Sequence, residues 1–164
     1  MTSEQITSIK KQTQLALPSD DTYLYRLGIA LYGFASINSF MTEIICHIDK
    51  SQDRISLLGK TSCLILYKFK EILKKMKIEG QYPEIHEVMS RTADLFEKLN
   101  DLRNDFVHPF PITNDKSEQI LLRRKNSENK YFEVDNAFLN HFFSDLHDVS
   151  KGLYEIRKVV QPGL

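Results

Sequence analysis

The sequence predicts an all-α protein: an antiparallel helical bundle of three to four long helices, with a small β-hairpin inserted before the last one. Three observations carry that expectation. Apolar residues recur at helical spacing over several long stretches. Capping residues, glycines and prolines punctuate the stretches where helices should begin and end. One late segment instead flanks a polar run with short apolar strands.

Residues 1–18 read as a tail or short helix, and residues 19–161 as a single helical domain. Pro18-Ser19-Asp20-Asp21 is a helix start, because Ser and Asp side chains accept hydrogen bonds from the free N–H groups of a first turn. From Thr22 to about Ile48 a stripe follows: Leu24, Leu27, Leu31, Phe34, Ile37, Met41, Ile44, Ile45 and Ile48. Tyr23, Tyr25 and Tyr32 are assigned to the same packed stripe. Gly28 and Gly33 lower the helix propensity, so each is expected where another backbone comes close.

A second helix is expected over Ile55–Ile78, ended by Gly80 and Pro83. Its Lys70, Lys74 and Lys77 share one side, a pattern suited to a nucleic-acid backbone as well as to a solvated face. The third helix should run from about Pro83 to Val107, stopped by Pro109 and Pro111. Ile120–Leu122 and Tyr131–Val134 then flank Lys125–Lys130 as a hairpin, with Arg123, Arg124 and Lys125 as a second basic cluster beside Tyr131. Asp135 or Asn136 should cap the last helix, which continues to Val160.

Composition limits the function classes. Hydrophobic residues at 41% and charged residues at 27% suit a soluble globular chain. Lys plus Arg and Asp plus Glu are both 22, so a polyanion would have to be held by a local basic patch. Cys46 and Cys63 are expected to be buried free thiols, with no disulfide framework, metal site or cofactor. Residues 1–18 lack the apolar run of a signal peptide, and no stretch reaches the ~20 unbroken apolar residues of a membrane span, so a cytoplasmic protein is the expectation.

The chemistry concentrates in Arg103-Asn104-Asp105-Phe106-Val107-His108. RNA can be cut without a metal if a 2′-hydroxyl loses its proton and attacks the adjacent phosphate. Histidine titrates near neutral pH and suits that transfer; a guanidinium holds two phosphoryl oxygens as their charge grows. Five residues of helix turn through roughly 140°, so Arg103 and His108 would not share a face on an unbroken helix. Pro109 disfavours helical geometry at His108, and a broken end would let the ring swing back toward Arg103. The alternative is structural: a helix-end histidine, and an arginine paired with Asp101, Asp105 or a carbonyl.

Arg103, Asn104 and His108, at the end of a long helix in an all-α chain, resemble the RNase motif of the HEPN family (higher eukaryotes and prokaryotes nucleotide-binding domains). The resemblance spans about Asp20 to Val160. It implies a metal-independent endoribonuclease acting on single-stranded RNA, of the toxin–antitoxin or anti-phage kind. His108 would be the general base or acid, Arg103 the phosphate clamp and Asn104 the orienting polar group. It further implies a homodimer with a composite active site, an antitoxin or nucleotidyltransferase partner, and a polar contribution from the first long helix, for which Asn38 and Glu43 are the candidates. A non-catalytic helical adaptor that binds nucleotide or RNA, or mediates dimerisation, is the competing class.

Overall fold

In the computed structural model, which describes residues 3–13, 17–125 and 130–163, the described chain forms six α-helices and three strands. These are α1 (Ser3–Thr13), α2 (Asp21–Ile48), α3 (Arg54–Leu58), α4 (Ser62–Glu79), α5 (His86–Val107), β1 (Phe110–Thr113), β2 (Gln119–Lys125), β3 (Lys130–Val134) and α6 (Asn136–Val160). The fold is all-α in its architecture, with a small sheet before the last helix.

The helix starts follow the capping chemistry. The Asp20 carboxylate accepts the N–H groups of Thr22 and Tyr23 at 2.8 and 3.2 Å, and Asp135 accepts that of Phe138 at 2.8 Å. The single second helix expected over Ile55–Ile78 is divided instead. Asp53 caps α3 and Thr61 caps α4, so the chain breaks and restarts through Gly59-Lys60. The third helix opens on a 3-10 turn at Pro83–Ile85 before α5 proper.

Four long helices make the bundle, α2 and α5 lying diagonally with α4 and α6 between them. Contacts fix the directions. Arg26 reaches Asn140, Gly33 lies against Leu146 and Phe40 against Tyr154, so α2 and α6 run the same way. Lys70 pairs with Glu97 and Arg103 with Ser62, so α5 runs antiparallel to α4. Arg91–Glu155 and Gly152–Thr92 make it antiparallel to α6 as well. Phe34 and Phe96 stack across the middle with ring centroids 5.7 Å apart. By length and composition α2 is apolar enough to cross a membrane, but Ala30, Phe34, Ile37, Met41, Ile44 and Ile45 are buried in this core.

The expected hairpin is a three-stranded antiparallel meander, β1-β2-β3. The strand that the sequence reading missed, β1, starts straight after the α5 end and pairs Phe110 with Leu122 and Ile112 with Ile120. The sheet is fastened to α2 by Tyr23, whose hydroxyl donates to the Val134 carbonyl at 2.8 Å and accepts the Leu121 N–H at 3.1 Å. Burial pushes that phenol up from its ordinary range, so it stays a donor.

Close helix packing at α5–α6 sets the height of the motif helix. A Cβ on Gly152 would lie 2.1 Å from Thr92 Oγ1 and 3.2 Å from Thr92 Cβ, and Thr92 is fully buried. Glycine to alanine inside a helix ordinarily gains about 1 kcal/mol. Here overpacking should win, and Gly152→Ala should lose about 2 kcal/mol in urea unfolding. Thr92→Ala in the same chain should recover part of that loss, whereas no recovery would show that the helices are not wedged at this point.

Candidate active site

α5 ends where Pro109 stops it. His108 caps the helix with φ −114° and ψ 23°, its N–H donating to the Asn104 carbonyl at 3.2 Å. β1 begins two residues later. The motif residues therefore sit at a helix end that is pinned on its other side by a sheet, and they face three different ways.

Arg103 points inward and is half-buried. Its Nη2 donates to Ser62 Oγ at 3.1 Å, and its guanidinium carbon lies 4.9 Å from the centre of the Phe34 ring. Its Nε is buried and has no hydrogen-bond partner among the described residues. One turn earlier Asn100 donates to Cys63 Sγ at 3.4 Å, while its own Oδ1 is buried and unpartnered among those residues. Ser62 and Cys63 belong to the first turn of α4, whose free N–H groups carry partial positive charge. Among the described residues no carboxylate comes within ion-pair distance of Arg103, so the expected structural alternative, a pair with Asp101 or Asp105, is not formed.

Asp105 is engaged elsewhere. It accepts from Arg123 Nη1 of β2, in an ion pair whose side chains are 19% and 14% exposed respectively. The Arg123 guanidinium also lies 4.9 Å from the Phe132 ring centre and 4.6 Å from that of Phe138. Its charge is thus used inside the fold, tying the sheet and α6 to the motif helix. The negative charge that the sequence places within the motif is neutralised on the face away from Arg103.

His108 and Asn104 are exposed, and no described side chain hydrogen-bonds to either. Arg103 and His108 share no hydrogen-bond partner among the described residues. Ser62 and Phe34 hold the guanidinium inward, while His108 leaves helical geometry at φ −114° and ψ 23° with its side chain exposed.

The other sequence candidates divide. Asn38 lies one turn beyond Phe34 on α2, and its buried Oδ1 has no partner among the described residues. Glu43 pairs with His47 at 3.7 Å, about 13 Å further along α2 than Phe34, and does not join the motif. Lys70 is paired to Glu97 at 2.9 Å; Lys74 and Lys77 are exposed, the latter about 22 Å along α4 from Ser62. Arg124 and Lys125 lie on β2 opposite Tyr131 and Lys130, and their side chains fall outside the described residues.

Ser62, Asn100 and the Phe34 face were missed by sequence reasoning. A serine after a capping threonine and a phenylalanine in an apolar stripe give no sign of a guanidinium beside them. Cys63, expected to be buried, is exposed, whereas Cys46 is half-buried and its thiol is pushed up by that burial. Tyr25 and Tyr32, expected in the core, stand 68% and 76% exposed. Among the described residues no three His, Cys, Asp or Glu side chains assemble as metal ligands.

Comparison of the chain with family models, with curated proteins and with solved structures finds no match in any of the three.

Proposed function

We propose that this chain is a metal-independent endoribonuclease that cuts single-stranded RNA by attack of a 2′-hydroxyl on the neighbouring phosphate. The reading is carried by one observation. A half-buried guanidinium with no carboxylate partner among the described residues lies against the positive end of α4, one and a half turns from an exposed histidine at a broken helix end. Arg103 would hold the phosphate, His108 would take the 2′-hydroxyl proton or supply one to the leaving oxygen, and Asn104 would orient them. The assay is cleavage of a labelled single-stranded RNA in excess EDTA, with a 2′,3′-cyclic phosphate as the expected product end. Intact RNA under those conditions, at any protein concentration used, refutes the assignment.

The reading includes a homodimer with a composite site, because Arg103 is turned inward to Ser62 and Phe34 while His108 is exposed. Tyr25, Ile29 and Tyr32 are exposed on one face of α2, spaced i, i+4, i+7, with Gly28 among them. The close backbone approach expected over both glycines is found at neither: the Leu146 side chain lies over Gly33, and over Gly28 there is open space. A second copy seated there would explain both the exposed rings and the glycine. Gly28→Leu should therefore turn a dimer into a monomer in sedimentation without lowering its unfolding temperature. A chain that is monomeric before the change, or dimeric after it, removes this interface. A toxin–antitoxin or anti-phage setting, an antitoxin or nucleotidyltransferase partner and a cytoplasmic location belong to the same proposal.

The exposed α2 face, together with the use of Arg103 in packing against Ser62 and Phe34, also favours a second reading, a non-catalytic adaptor that dimerises or binds nucleotide. It predicts no cleavage, and loss of dimerisation or nucleotide binding in Arg103→Ala.

A further inference from the structure

Two donors from α5 reach the first turn of α4, and they do so beside an exposed thiol. Asn100 and Arg103 are three residues apart on one side of α5, and they touch neighbouring residues of α4. Asn100 Nδ2 donates to Cys63 Sγ at 3.4 Å, and Arg103 Nη2 donates to Ser62 Oγ at 3.1 Å. Cys63 is a free, exposed cysteine, whereas Cys46 is half-buried.

The surroundings select the charge of what the sulfur can take up. The N–H groups of Ser62 and Cys63 belong to the unpaired first turn of an eighteen-residue helix and carry partial positive charge. Arg103 has no carboxylate within ion-pair distance among the described residues, and its Nε is buried without a partner there. Lys60, two residues before Ser62, is exposed and forms no ion pair among them. Asn100 is an independent sign of a missing group. It is 5% exposed, and its amide is turned to Cys63 through Nδ2. Its Oδ1, on the same planar amide, is buried and has no donor among the described residues. An amide oxygen left in that state costs stability until a donor arrives.

We infer that Cys63 is a modification site that takes up a small anionic peptide thiol as a mixed disulfide. The Cys63 thiolate attacks one sulfur of the disulfide R–S–S–R. The Cys63–S–S–R bond forms, the old S–S bond breaks, and R–S⁻ leaves with the electron pair. The small disulfide is the oxidant and the departing thiolate is its reduced half. The carboxylates of the attached arm are met by Arg103 and Lys60, and an amide N–H of the arm is the donor that Asn100 Oδ1 lacks. The arm covers the guanidinium to which the ribonuclease reading gives the phosphate, so the adduct switches that site off. Only this last consequence rests on that reading.

Exchange is followed by intact mass in the Cys46→Ser chain, where Cys63 is the remaining thiol. The probes are glutathione disulfide, which is anionic, and cystamine, which is cationic. Their leaving groups differ, so the rate ratio between them is compared with the same ratio in Arg103→Gln/Cys46→Ser, where that difference cancels. The anionic preference should fall about tenfold in the variant, the factor that one charge-assisted contact carries. Lys60→Gln, an exposed change that leaves the fold alone, should lower it too and decides the matter if Arg103→Gln does not fold. The Cys63→Ser chain, which keeps only the half-buried Cys46, should gain adduct about tenfold more slowly than Cys46→Ser. The adduct should also stop RNA cleavage by Cys46→Ser, dithiothreitol should restore it, and Cys63→Ser should cut throughout. No adduct at Cys63, an anionic preference changed by less than about twofold, or an equally fast Cys46 overturns the site. A full adduct that leaves cleavage untouched overturns the switch. A charge-selective adduct on a chain that never cuts RNA keeps the modification site and discards the nuclease.

Discussion

His108→Ala should abolish RNA cleavage in EDTA and leave the fold as it is. The ring is exposed and no described side chain bonds to it, so removing it should change stability by less than about 0.5 kcal/mol. Proton transfer by a placed side chain is worth roughly 10²–10⁴ in rate, and the loss should fall on turnover while RNA affinity stays near the wild-type value. Arg103→Ala should also lose roughly 10²–10³ in rate, because it removes the group facing the developing phosphoryl charge. It differs from His108→Ala in a measurable way. Arg103 donates to Ser62 and covers Phe34, so the alanine variant should in addition unfold about 1 kcal/mol more easily. Arg103→Lys, which keeps the charge but not the two-pronged grip, should recover much of the affinity and little of the rate. A His108→Ala chain that cuts at the wild-type rate would end the assignment, whatever Arg103 does.

Helix boundaries were legible in the sequence because the signals for them are local. Asp20, Asp135 and Gly80 satisfy backbone groups within a few residues of themselves, and their side-chain chemistry names the position. The break between α3 and α4 was hidden because Ile55, Leu58 and Leu64 continue an apolar pattern; all three are exposed, so that pattern did not report burial. β1 escaped because Phe110-Pro111-Ile112-Thr113 is short and begins beside prolines, and its pairing with β2 is set by the returning strand. The site shows the same limit. Arg103 and His108 stand out as residue types at a telling spacing, but what the motif's charged side chains touch depends on partners 41 and 18 residues away in sequence, Ser62 for Arg103 and Arg123 for Asp105. No periodicity encodes such contacts. Gly33 and Gly28 look alike in sequence, and only the packed bundle tells the wedged one from the open one.

Breaking the Asp105–Arg123 clasp should cost more stability than any other change to the motif. Both side chains are less than one-fifth exposed, and the guanidinium lies against Phe132 and Phe138. Removing the Asp105 charge leaves the Arg123 guanidinium without its ion pair in a largely dry place, a loss of roughly 3–5 kcal/mol for a fully buried pair and about 2–3 kcal/mol with this residual access to water. Asp105→Asn should therefore unfold at clearly lower urea, and Arg123→Met, which keeps the packing between the two rings but drops the ion pair, should lose less. The double variant isolates the cause. If the penalty comes from a stranded guanidinium, Arg123→Met/Asp105→Asn should be more stable than Asp105→Asn alone, because no arginine is left without its carboxylate. Losses that simply add would mean that the two side chains act separately. The cleavage rate of the double variant then reports on the site. β2 holds the end of α5 through this pair, and His108 lies one turn beyond Asp105. A refolded but unclasped chain should bind RNA nearly as well and turn it over more slowly, because the clasp sets where His108 stands without touching the substrate.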